Sequence, residues 1–196
     1  GLDNFCWPDP IESEKTPVGK FKLAQLVRAN RELERICRAY RLPCVSGKDS
    51  MKNDYGKGPD KISIPPTLLF SLFGDHPDVR NSATSDLKHP GDKLYLVGES
   101  LEELGASELA FMMTENGQSA GIGGNVPLLS DPDRLFSSYR ALSKAINSGV
   151  VKTAHDCSEG GVGVAIAEMC IGGRIGAKID IDGTGNTSMW ARLWGE

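Results

Sequence analysis

Nine consecutive residues, Ser46-Gly47-Lys48-Asp49-Ser50-Met51-Lys52-Asn53-Asp54, bring two ammonium groups, two carboxylates and two hydroxyls onto one short stretch. That mixture suits a phosphate–Mg²⁺ site. Glycine lets backbone N–H groups approach an anion, lysine neutralises it, and a carboxylate holds the metal. A solvated polar turn draws on the same residue types. The stretch is not a P-loop: Leu42 stands where G-x-x-x-x-G-K-[ST] has its first glycine, and Asp49 replaces the Ser/Thr. A second polar run, His155-Asp156-Cys157-Ser158-Glu159-Gly160-Gly161, lies between an apolar segment and a helical pattern. Glycines opening a helix expose unpaired N–H groups, and the macrodipole favours an anion there. Asp156 could then hold Mg²⁺ or a substrate hydroxyl; alternatively Asp156 or Ser158 simply caps the helix. A Cys157 nucleophile beside His155 has no third orienting group in the sequence.

These loops need elements to position them. Leu2–Phe5 reads as the tail of a strand, and Pro43-Cys44-Val45 as a short strand leading into the Lys48 loop. From Lys20 to Tyr40 the period is helical, with Leu23, Leu26, Val27, Leu33, Ile36, Cys37 and Tyr40 on one face and a basic, solvated face opposite. Pro66–Phe73 is an apolar strand. Lys93–Gly98, Val150–Ala154 and Ala177–Ile181 read as further strands, and Leu104–Met113 as a helix. Glu115–Asn125 is glycine-rich and reads as mobile. Asp131-Pro132 is an N-cap and first-turn pair opening a helix with Leu135, Tyr139, Leu142 and Ile146 inward, and Gly149 follows its end. Val162, Ala165, Ile166, Met169 and Cys170 line another helix, ending at Gly172-Gly173. Alternating helices and strands predict a mixed α/β fold, with a boundary near Asp86 separating residues 1–86 from 87–196.

The 196 residues are 39% hydrophobic and 24% charged with a net charge of -4, so the balance offers no electrostatic support for nucleic-acid binding. No apolar run reaches the roughly 20 residues of a membrane span, and no signal peptide opens the chain. Five cysteines without a C-x-x-C pair favour free thiols in a reducing, cytoplasmic setting. Both ends read as cut. The chain opens inside Leu2-Asp3-Asn4-Phe5 and closes on Met189–Trp194, an amphipathic helix start whose apolar face is expected to lack cover and to promote self-association.

Taken in order, Gly1–Pro10 (Gly-Leu-Asp-Asn-Phe-Cys-Trp-Pro-Asp-Pro), Lys22–Ala29, the nonapeptide at Lys48, Pro90-Gly91-Asp92 and His155–Gly161 resemble the second half of the phosphoribosylformylglycinamidine synthases. These belong with the aminoimidazole ribonucleotide synthetase-like superfamily. The resemblance implies that residues 1–86 are the C-terminal part of an N-terminal-type, barrel-interface α/β domain. Residues 87–196 would then be a C-terminal-type α/β domain, truncated at its end. It implies ATP-dependent conversion of formylglycinamide ribonucleotide to the amidine, through an iminophosphate that glutamine-derived ammonia displaces. ATP and Mg²⁺ are the implied cofactors. A glutaminase subunit or domain and the first half of the same synthase are the implied partners. Asp49 would carry the metal, Gly47 and Ser50 would contact nucleotide or substrate, and Lys48 would neutralise phosphate. Relatives with Gly-Asn-Val-Ser in this loop put asparagine on the metal, so the division between Lys48 and Asp49 stays open. Asn4 matches an asparagine near the nucleotide, and Asp156, Gly160 and Gly161 form the second nucleotide or substrate loop. Ala106 replaces a glycine usual in the Gly-Gly-Ser-Glu turn. No catalytic residue falls in this chain, since the resemblance puts the catalytic histidine in the first half; the chain alone is expected to be inactive. The competing functions are another small-molecule phosphoryl-transfer enzyme of the superfamily and a nucleotide-holding assembly module.

Overall fold

The computed structural model describes residues 1–56, 60–115, 123–181 and 187–196. Strand β1 (Leu2–Cys6) is the middle strand of a three-stranded sheet ordered β2-β1-β3. Strand β2 (Ser46–Gly47) runs parallel to it, with Leu2 opposite Ser46, and β3 (Thr67–Ser71) runs antiparallel, from Leu2 opposite Ser71 to Cys6 opposite Thr67. The parallel pair requires a crossover, and helix α1 (Gly19–Tyr40) supplies it. Arg41 closes α1 in the left-handed region at φ 56°, with the Leu42 N–H bonded to Cys37 O at 2.9 Å, and Pro43 cannot continue the helix. Phe5 and Trp7, both buried, meet at 5.9 Å in a tilted arrangement, and Trp7 Nε1 donates to Lys22 O at 2.9 Å. Burying each ring contributes about 1.5–3 kcal/mol.

After β3 come helices α2 (Glu108–Glu115), α3 (Pro132–Asn147), α4 (Gly161–Gly173) and α5 (Met189–Trp194). The chain gathers into two units. The first holds Gly1–Pro77 and Pro132–Phe136, the second Asp78–Asp131 and Ser137–Glu196. Within the second unit the Leu87 N–H donates to Met169 O (3.1 Å) and the Thr153 hydroxyl to Thr84 O (2.7 Å). The core of that unit is Leu87, Leu104, Ala165, Met169 and Ala191.

Helix and sheet together make the α/β class, but several elements differ from the sequence reading. The strand before the Lys48 loop is displaced from 43–45 onto Ser46–Gly47, inside the loop itself. The helix expected at 104–113 begins at Glu108, after a turn capped by the Ser107 hydroxyl, which accepts from the Ala110 N–H (3.2 Å). The half-buried stripe of α1 runs through Leu26, Ala29, Leu33, Ile36 and Tyr40; Leu23 and Val27 are 47% and 42% exposed. Among the described residues the segments 93–98, 150–154 and 177–181 form no strand, and the bridge Thr84–Thr153 is the one ladder contact they make there. Alternation marks two faces, but a strand exists only where a neighbour accepts its bonds. Tyr95 and Val97 accordingly stand 81% and 66% exposed. Residues 116–122, within the glycine-rich stretch, lie outside the described residues. Helix α5 is not bare: Ala191 is buried, and the Trp194 ring approaches the Cα side of Gly163. Among the described residues no helix is long and apolar enough to cross a membrane.

Candidate functional site

The nonapeptide is laid along β1 by backbone bonds. Lys48 N–H donates to Asp3 O (3.0 Å), Ser50 N–H to Phe5 O (2.7 Å), Trp7 N–H to Ser50 O (2.9 Å) and Asn53 N–H to Trp7 O (3.1 Å). From Lys48 to Ser50 the ladder uses alternate residues of both segments, as a parallel pair must, so this part of the loop is extended, while Lys52 at φ 60° stands in the left-handed region. It leaves Lys48 and Asp49 exposed and Ser50 half-buried. The Lys48 ammonium donates to the Ser50 hydroxyl. Asp49 Oδ1 accepts the Phe5 N–H at 3.4 Å. Asn4 sits on β1 between the two residues whose carbonyls hold Lys48 and Ser50, with Leu69 of β3 as its partner across the sheet. A Cβ at Gly47 would lie 2.6 Å from Asp3 Oδ1, so the glycine is what admits that carboxylate beside the loop. Asn4, Gly47, Lys48, Asp49 and Ser50 are thus brought together in the first unit.

Among the described residues no three His, Cys, Asp or Glu side chains converge on a point. Asp49 offers one exposed carboxylate, whose Oδ1 accepts the Phe5 N–H. That suits Mg²⁺, which is commonly held by one or two carboxylates plus phosphate oxygens and water, better than an all-protein cage.

The far end of the nonapeptide carries a network that sequence reading missed. Asp54, with its side chain only 4% exposed, pairs with Lys61 at 2.6 Å and accepts from the Asp9 N–H (3.4 Å) and the Ser63 hydroxyl (3.2 Å). Burial acts to raise its pKa, but the bonds from Lys61, Asp9 and Ser63 outweigh it and hold the carboxyl below its ordinary value. Lys22, read as part of a solvated face, donates to the same Ser63 hydroxyl at 2.5 Å. Lys22, Lys61 and Ser63 line a cavity of about 520 Å³ with Glu14, Lys15 and Thr16. Asp9 and Asp54 are too far apart in the chain for any local spacing to have marked them as neighbours.

The second loop, in the second unit, behaves differently from its reading. Asp156 is exposed and accepts from the Ser158 hydroxyl at 2.6 Å, which with the Asp156 backbone bond lowers its pKa. Neither Asp156 nor Ser158 caps α4. The cap residue is Gly160 at φ 83°, and the Gly160 N–H is taken by the Glu196 carboxylate at 2.7 Å. The same oxygen accepts from the Glu108 N–H at the start of α2 (2.9 Å). The anion position expected at this helix N-terminus therefore holds the chain's own carboxylate. Gly161, at φ 61°, sits where a Cβ would lie 2.5 Å from Gly195 O. His155 Nε2 faces Glu168 Oε2 at 3.1 Å. Desolvation and the Asp156 charge push the Cys157 thiol up, away from a reactive thiolate.

Residues 89–193 match the family described as AIR synthase related protein, C-terminal domain. The chain belongs to this family. It is also similar to a phosphoribosylformylglycinamidine synthase subunit PurL of Deinococcus radiodurans, at 35% identity over 177 residues, covering 88% of this chain and 23% of that protein. A subunit of the same name from Limosilactobacillus reuteri is 35% identical over 145 residues, covering 74% of this chain and 18% of the relative. The chain thus spans about a quarter or less of the length of these relatives. Both matches support the resemblance carried by the two polar loops.

Proposed function

We propose that this chain is part of a phosphoribosylformylglycinamidine synthase, an ATP-dependent C–N ligase of purine biosynthesis that converts formylglycinamide ribonucleotide to its amidine with glutamine-derived ammonia. The observation that carries the reading is the 35% identity to PurL subunits over most of the chain, and the geometry of the Lys48 loop supports it. Phosphoryl transfer asks a protein for positioning and charge stabilisation rather than covalent chemistry. Asp49, held by the Phe5 N–H, is the carboxylate for Mg²⁺, which when bound neutralises phosphate charge. Lys48 and Ser50 face the anion, and Gly47 and Asn4 shape the approach. On the second unit, Gly160, Gly161 and Asp156 are the second nucleotide- or substrate-binding loop. The glutaminase and the first half of the synthase are the partners, and the setting is cytoplasmic.

The test is the polypeptide that contains this chain in full, assayed for amidine formation with ATP, Mg²⁺, ammonia and formylglycinamide ribonucleotide. ATP consumption that depends on that substrate, with amidine as product, is the expected result, and the 196-residue chain alone is inactive. ATP turnover driven by a different small molecule, with no amidine, overturns the reading.

A further inference from the structure

Two of the five free cysteines stand together. Cys37, in the last turn of α1, and Cys44, on the segment between α1 and β2, place their Sγ atoms 3.7 Å apart. The fold builds this approach. Arg41 in the left-handed region reverses the chain, and the Leu42 N–H bonds back to Cys37 O. The following segment is pinned to the start of β1, with the Val45 N–H donating to Gly1 O (3.0 Å) and Ser46 paired with Leu2. Cys44 is exposed and lies in no helix or strand, so side-chain rotation and a small shift of the segment bring the sulfurs to the roughly 2.05 Å of a disulfide.

We propose that Cys37 and Cys44 are a redox-modification site that closes reversibly to an intramolecular disulfide by exchange with a low-molecular-weight disulfide such as oxidised glutathione. The proposal is independent of the functional reading above. Cys37 and Cys44 are both thiols, the form from which exchange with a small disulfide starts. The exposed Cys44 thiol loses its proton to solvent, and the thiolate attacks one sulfur of the small disulfide, releasing one thiolate and leaving a mixed disulfide. The Cys37 thiol, half-buried and raised by burial and by Cys44, then loses its proton and attacks the Cys44 sulfur, releasing the second thiolate. Two protein thiols are oxidised to one disulfide, and one small disulfide is reduced to two thiols. The closed pair ties the end of α1 to the strand entry at Ser46.

The experiment equilibrates the chain in buffers of graded oxidised-to-reduced glutathione ratio, quenches by alkylation, and reads intact mass and linked peptides. The expected product carries three alkyl adducts instead of five, on Cys6, Cys157 and Cys170, and after their mass is subtracted lies about 2 Da below the reduced chain, with a Cys37–Cys44 linkage. Half-oxidation of the folded chain falls at a glutathione ratio at least about tenfold lower than in denaturant, because the fold holds the sulfurs together. Cys37→Ser and Cys44→Ser each abolish the 2 Da loss, and Cys157→Ser leaves it. Full alkylation of both thiols across the series, equal half-oxidation in folded and denatured chain, or dependence on Cys157 overturns the proposal.

Discussion

Asp49 and Asp54 sit five residues apart and do different work. Asp49 is exposed and holds one weak N–H bond, so removing its charge disturbs little of the fold. On the proposed function, Asp49→Asn in the full polypeptide weakens nucleotide and Mg²⁺ binding together by roughly 10- to 150-fold, the equivalent of about 1.5–3 kcal/mol for a charged contact. Added Mg²⁺ recovers part of the loss, and Ser50→Ala costs less, about 1 kcal/mol. Calorimetry across a Mg²⁺ titration checks both, and unchanged affinity in Asp49→Asn removes the loop from the site. Asp54 is structural. Its folded pKa lies below the unfolded value of about 3.9, so its contribution is complete at neutral pH and is lost as pH falls through the folded value. Asp54→Asn therefore destabilises the chain at pH 7 by about 1–3 kcal/mol, the cost of leaving Lys61 without its buried partner. The gap to wild type narrows steadily below about pH 4. Urea unfolding at a series of pH values measures this, and a gap independent of pH would show that Asp54 acts through packing alone.

Among the helices, the turn into α2 stores identifiable strain. Ala106 stands at φ 62°, in the left-handed region, immediately before the Ser107 cap. An L side chain there costs about 1–2 kcal/mol, part of which glycine returns as unfolded-state entropy. Ala106→Gly is therefore expected to stabilise the chain by about 0.5–1 kcal/mol, seen as a higher denaturation midpoint at unchanged slope. A lower midpoint would mean that the alanine methyl makes packing contacts that outweigh its strain. The departure from the Gly-Gly-Ser-Glu pattern thus has a backbone meaning that only the dihedral angle discloses. Helices α3 and α4 were legible in advance. Asp131-Pro132 opened the first, and the Val162, Ala165, Ile166 and Met169 stripe is half-buried or buried in the second. Tyr139 departs from the reading, since it turns outward from α3.

For the whole molecule, the sheet ends on β3, an edge strand among the described residues. Its outward Leu69 is 60% exposed, and Phe73 just beyond it is 82% exposed. Apolar edge strands pair with further copies. The chain is expected to form dimers or larger species at micromolar concentration, and Leu69→Lys is expected to shift sedimentation toward monomer. Wild-type chain that sediments as a monomer throughout that range would count against edge pairing.

Sequence by itself determined the long helices and the chemistry-bearing loops. A helix closes its hydrogen bonds within four residues, so period, caps and a stop signal such as Pro43 suffice to place it. It also carried the resemblance, because the nonapeptide at Lys48 is a local string. What joined distant segments was decided by tertiary structure. The Lys48 loop runs extended from Ser46 to Ser50 because β1 offered it carbonyls, whereas 93–98 and 177–181 form no strand among the described residues. The Asp54–Lys61–Asp9 network, the Glu196 carboxylate on Gly160, and the Cys37–Cys44 approach arise the same way. Each depends on a partner whose position is set by the path of the chain in space, and no period or spacing in the sequence encodes that path.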